Sequence, residues 1–125
     1  MSETHGTVHW TELNTHDVDK AIAYYTKLCG WSFDKMPMEG ADYHIAMKGD
    51  QMVAGMFDLA AMPEMKDLPS HWLTYLAVDD VDAAAKDTEA LGGTIIRAPW
   101  DVEGVGRIAI LTDPSGAAFG MMTPS

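Results

Sequence analysis

Glu12, Cys29, Arg107 and the histidines His5, His9, His16, His44 and His71 are the side chains that could bind a ligand or move a proton. Glu12 sits in a stretch, Thr7 to Asn14, that alternates like a half-buried strand, with Val8, Trp10 and Glu12 on one face. A carboxylate on the apolar face of a strand suits general-base work, because burial disfavours its charged form. Cys29 closes a helical pattern just before Gly30 and reads as a small buried residue, with no lysine-histidine cluster around it to make a reactive thiol. Arg107 follows Gly104-Val105-Gly106 and could hold a ligand carboxylate or serve a structural ion pair. The glycines mark a loop before a strand, since a phosphate cradle needs a helix N-terminus after it. His5 and His16, in the tail and at a helix entry, read as solvated, and His44 reads as a surface residue on a strand.

The elements that position these residues occur twice. Asp17-Val18-Asp19 followed by Ala21 returns 63 positions later as Asp80-Val81-Asp82 followed by Ala84. Thr11, Leu13, Leu28, Gly30 and Asp50 return at the same offset as Thr74, Leu76, Leu91, Gly93 and Asp113. One offset running through strand-like, helix-like and turn-like segments marks two copies of one supersecondary unit, with the functional surface formed between them. Asp17 is placed to cap a helix with the apolar stripe Val18, Ala21, Ile22, Tyr25 and Leu28, and Gly30 to stop it. Strands are expected at Trp31–Lys35, Tyr43–Lys48 and Met52–Leu59, the last two joined by a tight turn at Gly49-Asp50. In the second copy, the strand Trp72–Val78 leads to a helix over Asp80–Leu91 with stripe Val81, Ala84, Ala85, Thr88 and Leu91. Strands at Thr94–Arg97, Gly106–Thr112 and Ala117–Met122 follow, with Asp113-Pro114-Ser115-Gly116 as a turn. Each half reads as βαβββ: a first module at 3–59, a proline-bearing linker at 60–69 and a second module at 70–123, together one domain.

Composition narrows the partners. A formal charge of −11 opposes nucleic acid and anionic lipid surfaces at long range. A single cysteine excludes an internal disulfide and fits a reducing compartment. The polar start lacks the apolar run of a signal peptide, and no stretch approaches the ~20 apolar residues of a membrane span. The expectation is a cytoplasmic protein whose partner is a small molecule. The ten methionines fit either an adaptable apolar surface or ordinary core filling.

A βαβββ repeat of this length resembles the vicinal oxygen chelate superfamily, the glyoxalase, bleomycin resistance protein and dioxygenase family. The resemblance rests on Asp17-Val18-Asp19 running into Ala23-Tyr24-Tyr25 and Leu28-Cys29-Gly30-Trp31. In the second module it rests on Val78-Asp79-Asp80-Val81, Leu91-Gly92-Gly93 and Thr112-Asp113-Pro114-Ser115-Gly116. It implies an α+β fold of two half-barrel sheets enclosing a cavity, with metal-dependent members drawing four ligands from the first and last strands of both modules. Carried onto this chain, those four positions fall on Trp10, Gly55, Leu73 and Gly120, none of which can coordinate an ion. A two-residue slip keeps the cavity face and offers only Glu12 and either His71 or Tyr75, beside Val53 or Phe57 and Ala118 or Met122. No metal and no cofactor are therefore expected. What the resemblance implies instead is an apolar pocket walled by Trp10, Phe57, Leu73 and Met122, with Tyr75 as hydrogen-bond handle and space at Gly55, Ala118 and Gly120. A barrel interior filled by its own side chains is the alternative. Two functions stay open: a metal-independent lyase or isomerase, in which Glu12 takes a proton with help from His71, or a non-catalytic binder of the drug-sequestering kind. Sheet edges that need cover point to a homodimer.

Overall fold

In the computed structural model, residues 3–38, 41–102 and 105–124 are described, and their secondary structure is α+β with βαβββ order in each half. The described residues form two compact units, one of residues 11–72 and one of residues 1–10 with 73–125. The first ten residues thus join the second repeat. Gly6 N–H donates to the Ala77 carbonyl at 2.7 Å and Ala77 N–H to that of Thr7 at 2.9 Å. His5, expected to be solvated, accepts from the Asp79 N–H at 2.9 Å through its Nδ1.

The unit of residues 11–72 carries most of β1 (Val8–Thr15), then α1 (Val18–Cys29), β2 (Ser32–Met38), β3 (Ala41–Lys48) and β4 (Gln51–Asp58). Its strands run in the order β2-β3-β4-β1, with β1 parallel to β4 and the other pairs antiparallel. The sequence signals for α1 act as read. The Asp17 carboxylate accepts from Lys20 N–H at 3.0 Å, and Gly30 ends the helix in the left-handed region at φ 69°. Packing departs from the pattern. Val18, Ala21, Ile22 and Tyr25 are only half-buried, and no residue of α1 is fully buried. Leu28 is 61 % exposed and Cys29 is also exposed, which corrects the reading of Cys29 as a buried residue. Burial stops at Tyr25, and the last helical turn is exposed. The 60–69 segment is more than a bare linker: two short 3-10 turns, Leu59–Ala61 and Pro63–Met65, bury Leu59, Met62 and Met65.

The second unit holds most of β5 (His71–Ala77), then α2 (Val81–Ala90), β6 (Thr94–Val102), β7 (Gly106–Thr112) and β8 (Ala118–Pro124). Its order is β5-β8-β7-β6, with β5 parallel to β8, and this repeats the topology of the other unit. Asp80 caps α2 by accepting from Ala83 N–H at 3.1 Å. Here the helix face is covered: Val78, Val81, Ala85, Ala109 and Leu111 form a buried cluster, joined by Ile95, Phe119 and Met121. Leu91, the last residue of the expected stripe, is 74 % exposed because the helix has already ended at Ala90.

Strand β6 runs five residues past the expected end at Arg97, in spite of Pro99. Proline is tolerated where a strand closes the order of its sheet. Two irregularities in the β6–β7 register, between Ile95 and Arg97 and between Arg97 and Trp100, accommodate it.

Candidate functional site

The parallel pairing of β1 with β4 sets Glu12 opposite Gly55 and Asn14 opposite Phe57. Paired residues share a face, and alternate residues along a strand share it too. One face of the 11–72 unit therefore presents Glu12, Asn14, Gly55 and Phe57, with Ile45 opposite Gly55 on β3. Tyr43 lies on that face as well, its ring 6.1 Å from that of Phe57. Glu12 is 7 % exposed, Phe57 is buried, and Asn14 is fully enclosed. Neither polar atom of the Asn14 side chain has a hydrogen-bond partner. A buried amide with both ends unmet costs about 1–3 kcal/mol.

His71, in the same unit, is half-buried. Its Nδ1 lies 2.8 Å from the Pro69 carbonyl oxygen. A carbonyl only accepts, so Nδ1 carries the proton and Nε2 is left as an acceptor. That Nε2 is buried and unpartnered. The imidazole is thus fixed in one tautomer with a free lone pair, as a proton acceptor should be.

The remaining expected site residues, Trp10, Leu73, Tyr75 and Met122, belong to the other unit. Leu73, Tyr75 and Met122 are buried there and Trp10 is half-buried. Tyr75 pairs with Gly120 and Ala77 with Met122, so these side chains share one face. The space at Gly120 is not open. A Cβ placed there would run into the Tyr75 ring.

Registers also test the family's metal positions. Gly55 faces Glu12 rather than Trp10, and Gly120 faces Tyr75 rather than Leu73. Each pair then supplies one donor, a carboxylate and a phenol, while the glycines supply none. Among the described residues, no three His, Cys, Asp or Glu side chains stand close enough to share an ion.

Arg107 is committed to its own unit. Its guanidinium makes a two-pronged bond to Asp82 at 2.7 and 3.0 Å and lies 3.2 Å from Asp101. The pairing raises the Arg107 pKa, and the hydrogen bond from Arg107 lowers that of Asp82. Of the glycines before it, Gly104 lies outside the described residues. On the opposite face from Glu12, an open polar groove of roughly 580 Å³ is lined by His16, Asp17, Asp19, Lys35, His44 and Asp58, among others. The sequence reading missed Asn14, although the alternation through Trp10 and Glu12 runs straight into it.

This chain belongs to the Glyoxalase/Bleomycin resistance protein/Dioxygenase superfamily, whose family model matches residues 7–121. It is 40 % identical, in an alignment of 126 positions that covers all of this chain, to the Mycobacterium tuberculosis protein named "Putative glyoxylase CFP32". It is 33 % identical to the anthracycline biosynthesis protein DnrV of Streptomyces peucetius over 91 % of the chain. The chain spans about half the length of these relatives, 46 % of each. Among solved structures, a Streptomyces coelicolor methylmalonyl-CoA epimerase in complex with 2-nitronate-propionyl-CoA shares the fold with a TM-score of 0.67. It is 16 % identical, and the match covers 97 % of this chain and 96 % of that one.

Proposed function

We propose that this chain is a metal-independent lyase or isomerase of the superfamily, in which Glu12 takes a proton from a carbon beside a carbonyl group. The observation that carries the reading is the Glu12–Asn14 pair: a carboxylate 7 % exposed and a fully enclosed, unpartnered amide on one face of β1. The proton moves from carbon to the Glu12 carboxylate, and the electron pair moves onto the carbonyl oxygen. A donor aimed at that oxygen is worth most where water is excluded, and the Asn14 Nδ2–H group is free to be that donor. His71, with its unpartnered Nε2, is the second group able to shuttle the proton. The names glyoxylase and epimerase among the similar proteins support reaction classes of this kind. The donor set supports chemistry without a resident metal.

A second reading is favoured by the buried apolar side chains of Leu73 and Met122, in the unit that also holds Trp10 and Tyr75. In it the chain binds an aromatic or apolar small molecule without turning it over, walled by these residues and Trp10, with Tyr75 as hydrogen-bond handle. A thermal-shift screen of small carbonyl compounds, acyl-CoA esters, glutathione conjugates and polycyclic aromatics, with turnover assays on each hit, separates the two. Turnover lost in Glu12→Gln with binding retained supports the enzyme. Binding that survives Glu12→Gln with no turnover in either form supports the binder. Affinities untouched by Trp10→Ala and Tyr75→Phe would sink the pocket assignment of this second reading.

The chain is further proposed to act in the cytoplasm as a homodimer. Among the described residues no helix is long and apolar enough to cross a membrane. The dimer is supported by an uncovered aromatic surface on the 11–72 unit, where Tyr25 stacks on Trp31 at 5.2 Å and Tyr24 and Trp72 are 57 % and 41 % exposed. Aromatic residues in such numbers are enriched at protein interfaces. Sedimentation showing a monomer at micromolar concentration would refute the dimer.

A further inference from the structure

Two irregularities in the pairing of β6 with β7 create a second feature that the Glu12 reading does not use. Ile95 pairs with Leu111 and Arg97 with Ile110, so two steps on β6 match one on β7. Trp100 then pairs with Ile108, so three steps match two. In a regular strand, Ile95 and Arg97 would share a face, and Arg97 and Trp100 would not. The first extra residue turns Arg97 away from the α2-facing cluster where Ile95 packs. The second brings Trp100 round to the same side. Bulges of this kind re-aim side chains and gather beside binding sites.

The result is a stack. The Arg97 guanidinium carbon sits 3.6 Å from the centre of the Trp100 ring. Both side chains are half-buried. The indole Nε1 of Trp100 is enclosed and has no hydrogen-bond partner. Arg97 also heads a row of paired residues across the sheet, Arg97–Ile110–Gly120–Tyr75, and the next row is Trp100–Ile108–Met122–Ala77. A cation and an unmet N–H donor therefore stand side by side on the face that carries Tyr75 and Met122, flanked by Ile108 and Ile110.

We propose that the Arg97–Trp100 stack is a binding site for the carboxylate of a small organic acid with an apolar body. One carboxylate oxygen accepts from Trp100 Nε1. The carboxylate also shares the Arg97 guanidinium, whose five N–H groups serve more than one acceptor. Stacking on the indole holds the guanidinium plane in place. This assignment concerns binding alone and stands or falls independently of Glu12 as a proton acceptor.

The test follows the indole N–H signals of the four tryptophans by nitrogen–proton correlation spectra of the intact chain. Trp100→Phe identifies the Trp100 signal by its loss. Phenylacetate is the probe and phenylacetamide its neutral control. The Trp100 indole proton is expected to move downfield with phenylacetate, saturating near about 1 mM as one charged contact on an apolar body allows. Phenylacetamide should leave it in place. Arg97→Gln should weaken phenylacetate at least about tenfold, the usual loss for a charge-assisted hydrogen bond, with the remaining indole signals unmoved. Should Arg97→Gln not fold, Arg97→Lys keeps the charge and loses the planar fork, and the same weakening is expected. A Trp100 signal that ignores phenylacetate, answers equally to the amide, or responds unchanged in the folded Arg97 variant overturns the assignment.

Discussion

Replacing Gly120 by alanine adds one methyl group where the Tyr75 ring already lies over the strand. Tyr75 is 4 % exposed, so its ring has no solvent to swing into. Gly120 itself is fixed in the sheet by pairing with Tyr75 on one side and Ile110 on the other. The overlap must be relieved by shifting the ring or the backbone, and forced overpacking of this kind costs about 1–3 kcal/mol. For a chain of 125 residues, an unfolding entropy of roughly 2.1 cal/mol/K per residue turns that into a fall in Tm of about 4–11 °C. Denaturant unfolding should show a lower midpoint with the slope unchanged, because the surface exposed on unfolding stays the same. The double variant Tyr75→Ala with Gly120→Ala should lose less than the sum of the single changes, since the ring that clashes is gone. A Gly120→Ala protein within about 0.5 kcal/mol of the parent, the range of an inconsequential surface change, would refute the packing of Tyr75 on Gly120. It would also restore Gly120 as open space.

Asp82 and Asp113 both have pKa values below the usual 3.8, the first held down by Arg107 and the second by the hydroxyl and N–H of Ser115 and the N–H of Ala117. Their stabilisation is present above the unfolded value and is lost as pH falls below it through the depressed folded values. Thermal melts over that fall in pH should show a shallower acid decline in Asp82→Asn and Asp113→Asn than in the parent. Asn14→Leu removes two unmet buried polar atoms and should be neutral or stabilising by up to about 1 kcal/mol, while abolishing turnover on any substrate found. An Asn14→Leu protein that keeps full turnover would remove Asn14 from the site. Treatment with a strong chelator should leave Tm unchanged, and elemental analysis finding about one equivalent of transition metal per chain would contradict the donor-set argument.

Much of the fold could be read from periodicity and punctuation. Asp17 and Asp80 cap their helices, Gly30 stops the first, and the 63-residue offset maps strand onto strand. The errors arose where tertiary contact decides. Nothing local to Leu28 and Cys29 reveals that burial of the helix stops at Tyr25. The run of β6 through Pro99 depends on register slips that only its pairing with β7 sets. The candidate site was half legible. Alternation marked Glu12, and it would have marked Asn14 had the polar residue been followed along the same face. Arg97 and Trp100 were invisible, because a spacing of three in a strand normally separates faces. Gly120 was read as space because a sequence does not tell which neighbouring ring fills a glycine.

The central claim, that Glu12 takes a carbon-bound proton without a metal, is tested most directly by solvent exchange. The ligand with the largest thermal shift in the carbonyl screen is incubated with protein in deuterium oxide containing chelator, and its proton spectrum is followed. The parent protein is expected to wash out the hydrogen beside the carbonyl, Glu12→Gln to bind the ligand but leave that hydrogen in place, and the chelator to change neither result. Exchange that continues unabated in Glu12→Gln, or that stops in the parent once chelator is added, would contradict the claim.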